Sequence, residues 1–352
     1  MSLTVVQRFY EVAKQEAEAT ALGVAYDGEF HELPWWFVKS KAKHFGLGLL
    51  EQGALEGEYF YLLSSPHPFW SYAELGALTV GLKTIPLPLE LPIAALEALF
   101  KRFPPSFFFL GDLTWSPVEP LLRRVKGLRR VVLVQDDPAL TEVTQGQALS
   151  FRKIFNAGIR SEAKHHAAYR HLRASLTEDR EMSPLRIGPR GEIEERPLRY
   201  GDVNEVCARL SHALGTGKSR RLLSAADLSH TFARIVALYW PIFTAMQSVF
   251  AEKGGDPLLE IQKFRPEAIL LPNDWITAMR PLLSSLSPPS SATDLPGKLR
   301  WGVQRRRLRA KLGKNLRCLF SETPLPGEFE ETLKLLGIRS LAAQPSAPNF
   351  LL

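Results

Sequence analysis

The sequence predicts an α/β fold built on a parallel sheet, and three observations carry the prediction. Short, nearly unbroken apolar runs recur at Tyr59–Ser64, Thr84–Leu87, Phe107–Leu110, Val131–Gln135, Arg221–Ala225 and Ala268–Leu271. Such runs fit strands covered on both faces, as parallel strands are. Stretches with helical spacing alternate with them, and parallel neighbours need long crossovers that helices supply. The chain also has the means to bury a large core, with 352 residues, 45% of them hydrophobic and 23% charged. That composition excludes a disordered chain and fits one or two globular domains.

In chain order, Val5 to Ala21 has helical spacing. Val24-Ala25-Tyr26 and Phe30-His31-Glu32-Leu33 flank Asp27-Gly28, which reads as a hairpin with a tight turn. Phe37 to Glu51 returns to a helical period and stops near Gly53. A helix through Trp70 to Gly81 joins the first two apolar strands, and a polar, His- and Arg-rich interval fills about Gly158 to Arg180. A helix over Gly201–Leu214 precedes the strand at Arg221. Phe232–Phe250 is the longest apolar stretch, but it contains Arg234, Pro241 and Gln247. It therefore reads as a buried helix running into a strand rather than a membrane span. A helix is expected over Trp275–Leu283 and a Ser/Pro-rich loop over Ser284–Thr293. No internal repeat and no boundary dividing the chain into independent domains is visible.

Charge and cysteine usage narrow the setting. The net charge is +7, yet nine basic residues and no acidic one lie between Lys298 and Arg317, and without them the remainder carries −2. The basic stretch reads first as a solvated helix; contact with an anionic membrane surface is the alternative, and nucleic acid is not the expected partner. Cys207 and Cys318 are far apart with no metal-ligand spacing, which argues against a disulfide framework and for a reducing compartment. The N-terminus has no apolar core of the signal-peptide kind, so a cytoplasmic protein is expected.

Several segments, taken in order, carry a family resemblance. They are Glu56-Gly57-Glu58-Tyr59, Ser64-Ser65-Pro66-His67-Pro68-Phe69-Trp70, Gly76–Gly81 with Ile85-Pro86-Leu87, and Leu223-Ser224-Ala225-Ala226-Asp227-Leu228-Ser229-His230. Phe264-Arg265-Pro266 with Leu271-Pro272, Lys311-Leu312-Gly313, and Ser321-Glu322-Thr323-Pro324-Leu325 complete the series. Together they resemble the N-terminal domain of long-chain acyl-CoA synthetases in the adenylate-forming superfamily. The resemblance implies stacked sheets with helices between and outside them, in a single AMP-binding-like domain over 1–352. One sublobe would span about 59–200 and the other about 1–58 together with 201–345. The segment ending in Gln344-Pro345-Ser346-Ala347-Pro348 falls where the family has a YG-x-TE motif, with Pro348 at the magnesium-binding glutamate. On that alignment the barrel, the ribose-binding aspartate and the C-terminal lid are expected to be lacking.

The phosphate loop bears most directly on function. The family reads TSGTTG-x-PKG there, where glycines and free N–H groups let the backbone approach phosphate. The corresponding stretch here is Met182-Ser183-Pro184-Leu185-Arg186-Ile187-Gly188-Pro189-Arg190-Gly191. Ser183, Pro189 and Gly191 survive, Arg190 takes the lysine's place and Arg186 a threonine's. Pro184 removes a donor, and Ile187 stands where the backbone needs glycine's freedom. The adenine wall is altered at Ser321, Glu322, Thr323 and Pro324, with Glu322 and Thr323 replacing glycines.

The resemblance places an acyl pocket near His230, Ala233 and Ala237. His165, His166 and His171 read as surface histidines, and no metal site is expected. Gly215-Thr216-Gly217-Lys218-Ser219 echoes a phosphate loop, but His212 stands where a Walker motif needs glycine. The resulting expectation is a catalytically inactive relative without a cofactor, binding an acyl or other hydrophobic ligand or a protein partner. One alternative is an acyl-adenylating half-enzyme completed by another chain, with ATP and magnesium. The other is a peripheral membrane or nucleic-acid adaptor working through the face from Lys298 to Arg317.

Overall fold

The computed structural model describes residues 2–26, 29–111, 118–135, 137, 147–188, 190–214, 220–251, 255–283 and 295–343. The strands in chain order are β1 (Thr20–Tyr26), β2 (Glu29–Pro34), β3 (Tyr59–Leu63), β4 (Lys83–Pro86), β5 (Pro105–Leu110), β6 (Arg130–Leu133) and β7 (Ala148–Ser150). Then come β8 (Glu181–Ser183), β9 (Arg186–Ile187), β10 (Ile193–Glu194), β11 (Leu198–Arg199), β12 (Arg221–Ser224), β13 (Gln247–Phe250), β14 (Ala268–Leu271), β15 (Cys318–Ser321) and β16 (Arg339–Ala342).

They form a five-stranded sheet, β4-β3-β5-β6-β7, and a seven-stranded sheet, β16-β15-β14-β12-β13-β1-β2. All pairings in the first are parallel, and the second departs from parallel only at the β1–β2 hairpin on its edge. The hairpin expectation holds for both strands; its turn, Asp27-Gly28, lies outside the described residues. β8–β11 and β9–β10 are short antiparallel ladders beside the sheets.

Alternation along the strands creates the layers. Phe60, Leu62, Phe107 and Phe109 face a central cluster that also receives Leu222, Leu270 and Phe320 from the other sheet. Their neighbours face outward into separate clusters, Tyr61 and Phe108 on one side and Leu223, Ile269 and Leu319 on the other. The helices Val5–Gln15, Trp35–Glu51, Pro68–Thr79 and Tyr200–Leu214 fill the space between the sheets. The expected stacked-sheet architecture is therefore present, with helices between and outside.

Two elements go beyond the expectation. The polar interval is helical, as Phe151–Arg160 and Glu162–Ala174. Its first helix packs closely on Trp35–Glu51 because glycines face each other. A Cβ on Gly158 would lie 1.8 Å from the His44 carbonyl oxygen, and one on Gly48 would lie 2.1 Å from that of Ile154. The apolar stretch after His230 is a helix into β13 as expected, but its centre, Ile235–Tyr239, is a π-helix. Among the described residues no helix is long and apolar enough to cross a membrane.

The helix Leu295–Lys311 contains most of the basic run, and Arg305, Arg306, Arg307, Lys311, Lys314 and Arg317 are exposed while Arg309 is half-buried. The Ser/Pro-rich segment 284–293, Gly215–Ser219, Pro189 and Gln344–Pro348 lie outside the described residues, as do the side chains of Lys298 and Arg300.

Candidate functional site

Three segments singled out in the sequence converge at the C-terminal ends of β12 and β15. The chain leaving β12 reaches His230, the chain leaving β15 reaches Glu322, and the β9–β10 ladder lies against them. Carboxyl ends of parallel strands are where open α/β sheets usually place their ligands.

The degenerate phosphate loop is folded onto itself. Met182, Ser183, Leu185, Arg186 and Ile187 are all buried. The Ile187 N–H donates to Thr231 Oγ1 at 2.9 Å, and the Gly188 N–H to the Glu192 carbonyl at 2.9 Å. Arg190 N–H donates to Glu192 Oε2 at 2.9 Å, and Gly191 N–H to the Gly188 carbonyl at 3.0 Å. Ser183 Oγ donates to the Leu185 carbonyl at 2.9 Å. Arg186 is turned away from any ligand: its guanidinium donates to Asp202 Oδ2 at 2.6 Å and to the Pro197 carbonyl at 3.0 Å. Gly191 has φ +78°, so one position of the loop still needs glycine's backbone freedom.

The wall expected to meet adenine carries a buried ion pair instead. His230 Nδ1 lies 2.7 Å from Glu322 Oε1, with side chains 14% and 4% exposed. Burial pushes the Glu322 carboxyl up, partly offset by the hydrogen bond and charge of His230, while Asp227 and Asp274 add to the rise. Burial by itself pulls the His230 imidazole down, but the hydrogen bond and charge of Glu322, with Asp227 and Glu192 behind it, outweigh burial and lift it. Ser321 Oγ donates to the Thr323 carbonyl at 2.7 Å, Thr323 Oγ1 to Asn273 Oδ1 at 2.5 Å, and Pro324 is exposed. Glu192, Asp227 and Glu322 act on His230, and Asp274 adds its charge beside Glu322, so the site is acidic and a poor setting for a polyphosphate.

Ala233 and Ala237, expected beside an acyl pocket, are fully buried in the central cluster. The cavity bordering Leu238 and Pro241 has a volume of about 10 Å³. That is the space of about one water molecule, so an acyl chain would have to displace packed side chains. The same segment carries Arg234, whose buried partner sequence reading missed. Arg234 Nη1 lies 3.9 Å from Glu74 Oε1, with side chains 2% and 0% exposed. Glu74 also accepts hydrogen bonds from Tyr239 Oη and, at 3.0 Å, from Thr84 Oγ1. Burial raises the Glu74 carboxyl against the lowering effects of Arg234, Tyr239 and Thr84.

Cys207 and Cys318 are free and buried, and burial pushes the Cys318 thiol up to about 12, so neither is an activated nucleophile. His166 and His171 are exposed, and His165 is bonded to Glu51. Among the described residues no group of acidic, His and Cys side chains is arranged to hold a metal.

No protein-family profile and no curated protein matches the chain. Solved structures do match. A benzoate CoA ligase from Burkholderia xenovorans LB400 superposes with TM-score 0.72 at 15% identity, over 99% of this chain and 62% of that one. An anthranilate CoA ligase in complex with anthranoyl-AMP gives 0.70 at 18%, over 100% and 61%. The A domain of a carboxylic acid reductase from Segniliparus rugosus, in complex with AMP and a co-purified carboxylic acid, gives 0.73 at 14%, over 97% and 60%. The chain has the fold of the N-terminal domain of adenylate-forming enzymes and spans about three fifths of the length of these structures.

Proposed function

We propose that this chain is a catalytically silent relative of the acyl- and aryl-CoA ligases, and that it acts as a binding scaffold. One observation carries the reading: the loop that should cradle phosphate has spent its donors on the protein. The N–H groups of Ile187, Gly188, Arg190 and Gly191 all have internal acceptors, and Pro184 has no N–H to give. The carboxylate of Glu192 takes up the Arg190 N–H and would repel an incoming phosphate. Each lost electrostatic contact of this kind lowers rate by about 10²–10³, and contacts that act as a unit fail together.

Two of the neighbouring structures hold AMP or anthranoyl-AMP, and on this reading the chain keeps their architecture without the means to hold a nucleotide. With the acyl segment packed solid, the scaffold reading favours a protein partner held by the outer surface over a hydrophobic small molecule held inside. Calorimetric titration of the whole protein with MgATP is expected to give no saturable heat through the ~1 mM that bounds ordinary substrate affinities. Saturable binding that is lost when a bulky side chain is placed at His230 would overturn the reading.

A further inference from the structure

At the opposite edge of the large sheet, the N-terminal ends of β12, β14, β15 and β16 enclose a second concavity of about 240 Å³. Arg220, Arg317 and Arg339 line it from three separate segments; Glu267 is the acidic residue among them, and Trp240 and Cys318 lie at its floor. The Glu267 carboxylate already accepts the Arg221 N–H at 2.7 Å. The neighbouring Arg221 guanidinium is turned to Gln247, the Phe264 carbonyl and Glu32, so it belongs to the wall and not the opening. Arg317 and Arg339 are exposed.

Arg317, the last of the nine basic residues that begin at Lys298, belongs to the lining of this concavity.

We infer that this pocket is an anion site for the phosphate group of a small organic phosphate. Three guanidinium groups and one carboxylate give the lining a net charge of about +2, which a phosphate dianion would balance, and arginine is the side chain best shaped to meet phosphate oxygens. The volume is below the ~300–1,000 Å³ of sites for drug-sized ligands, which limits the occupant to a phosphate with a small body. The inference does not depend on the loss of adenylation, because the two sites lie at opposite ends of the same strands.

Glycerol 3-phosphate, with glycerol as the uncharged control, is the probe for titration calorimetry on the whole protein. Saturable binding is expected that weakens at least tenfold in the double variant Arg317→Gln/Arg339→Gln and changes less than twofold in Arg305→Gln/Arg306→Gln. Arg317→Gln alone serves if the double variant fails to fold. Vesicles of phosphatidate in phosphatidylcholine separate the sources of the phosphate. Vesicle binding abolished by the pocket variant assigns a lipid headgroup, and retained glycerol 3-phosphate binding without vesicle binding assigns a free ester. Absence of saturable binding, or equal losses in the two double variants, overturns the inference in favour of a diffuse basic surface.

Discussion

Replacing Glu74 with leucine is expected to destabilise the protein by about 3–5 kcal/mol, the cost of breaking a buried ion pair from one side. The substitution leaves the Arg234 guanidinium 2% exposed with its charge partner gone, and it also takes the acceptor from Tyr239 Oη, while Thr84 Oγ1 keeps the Met182 carbonyl at 3.4 Å. Arginine cannot shed its charge, so nothing relieves that cost. Arg234→Met should be milder, because the Glu74 carboxyl is already raised by burial and can take up a proton when the cation is removed. The double variant Glu74→Leu/Arg234→Met is expected to recover most or all of the loss, as apolar replacements of buried pairs often do. Urea unfolding of the four proteins in a double-mutant cycle measures this. Additive losses would show that the two side chains are not coupled.

The second large effect concerns His230. His230→Ala leaves Glu322 buried and alone, and a cost of about 3–5 kcal/mol is expected at neutral pH. The sign of the pH dependence follows from the two shifts. The His230 pKa is raised above its unfolded value of 6.5, so its contribution is complete below 6.5 and is lost as pH rises through the folded value. The Glu322 pKa is raised above 4.5, so in the variant the lone carboxyl becomes neutral as pH falls through its folded value, and the penalty fades. The gap in melting temperature between wild type and variant should therefore be widest between the two folded values, closing as pH falls through that of Glu322 and again as pH rises through that of His230. A gap that is constant from pH 5 to 8 would mean that packing, and not charge, holds His230 in place.

These two pairs also show where sequence reading stops. The strand cores were legible: Tyr59–Leu63 and Ala268–Leu271 are apolar on both faces because each face meets a different cluster. The helices Phe151–Arg160 and Glu162–Ala174 were not, since the second shows few buried side chains beyond Tyr169 and its pattern is dominated by the solvent face. The position of β1 beside β13 joins residues far apart in sequence, and no local signal announces such a pairing. At the candidate site, the retained Ser183 and Gly191 and the altered Arg186, Arg190, Glu322 and Thr323 were visible one by one. Their partners were not. Glu192, Asp202, Thr231 and Asn273 matter only because the fold brings them within hydrogen-bonding distance. Arg234 stood out in its apolar stretch, but nothing local announced Glu74, far earlier in the chain, as its buried partner.

The central claim is that the scaffold persists without adenylation, and ATP–pyrophosphate exchange by the whole protein tests it most directly. With a panel of fatty and aromatic acids, label is expected to enter ATP no faster than in the protein-free control. Robust, acid-dependent exchange that vanishes on Glu322→Ala or Arg190→Ala would contradict it, because the folded-over loop would then have to open and bind the nucleotide during turnover.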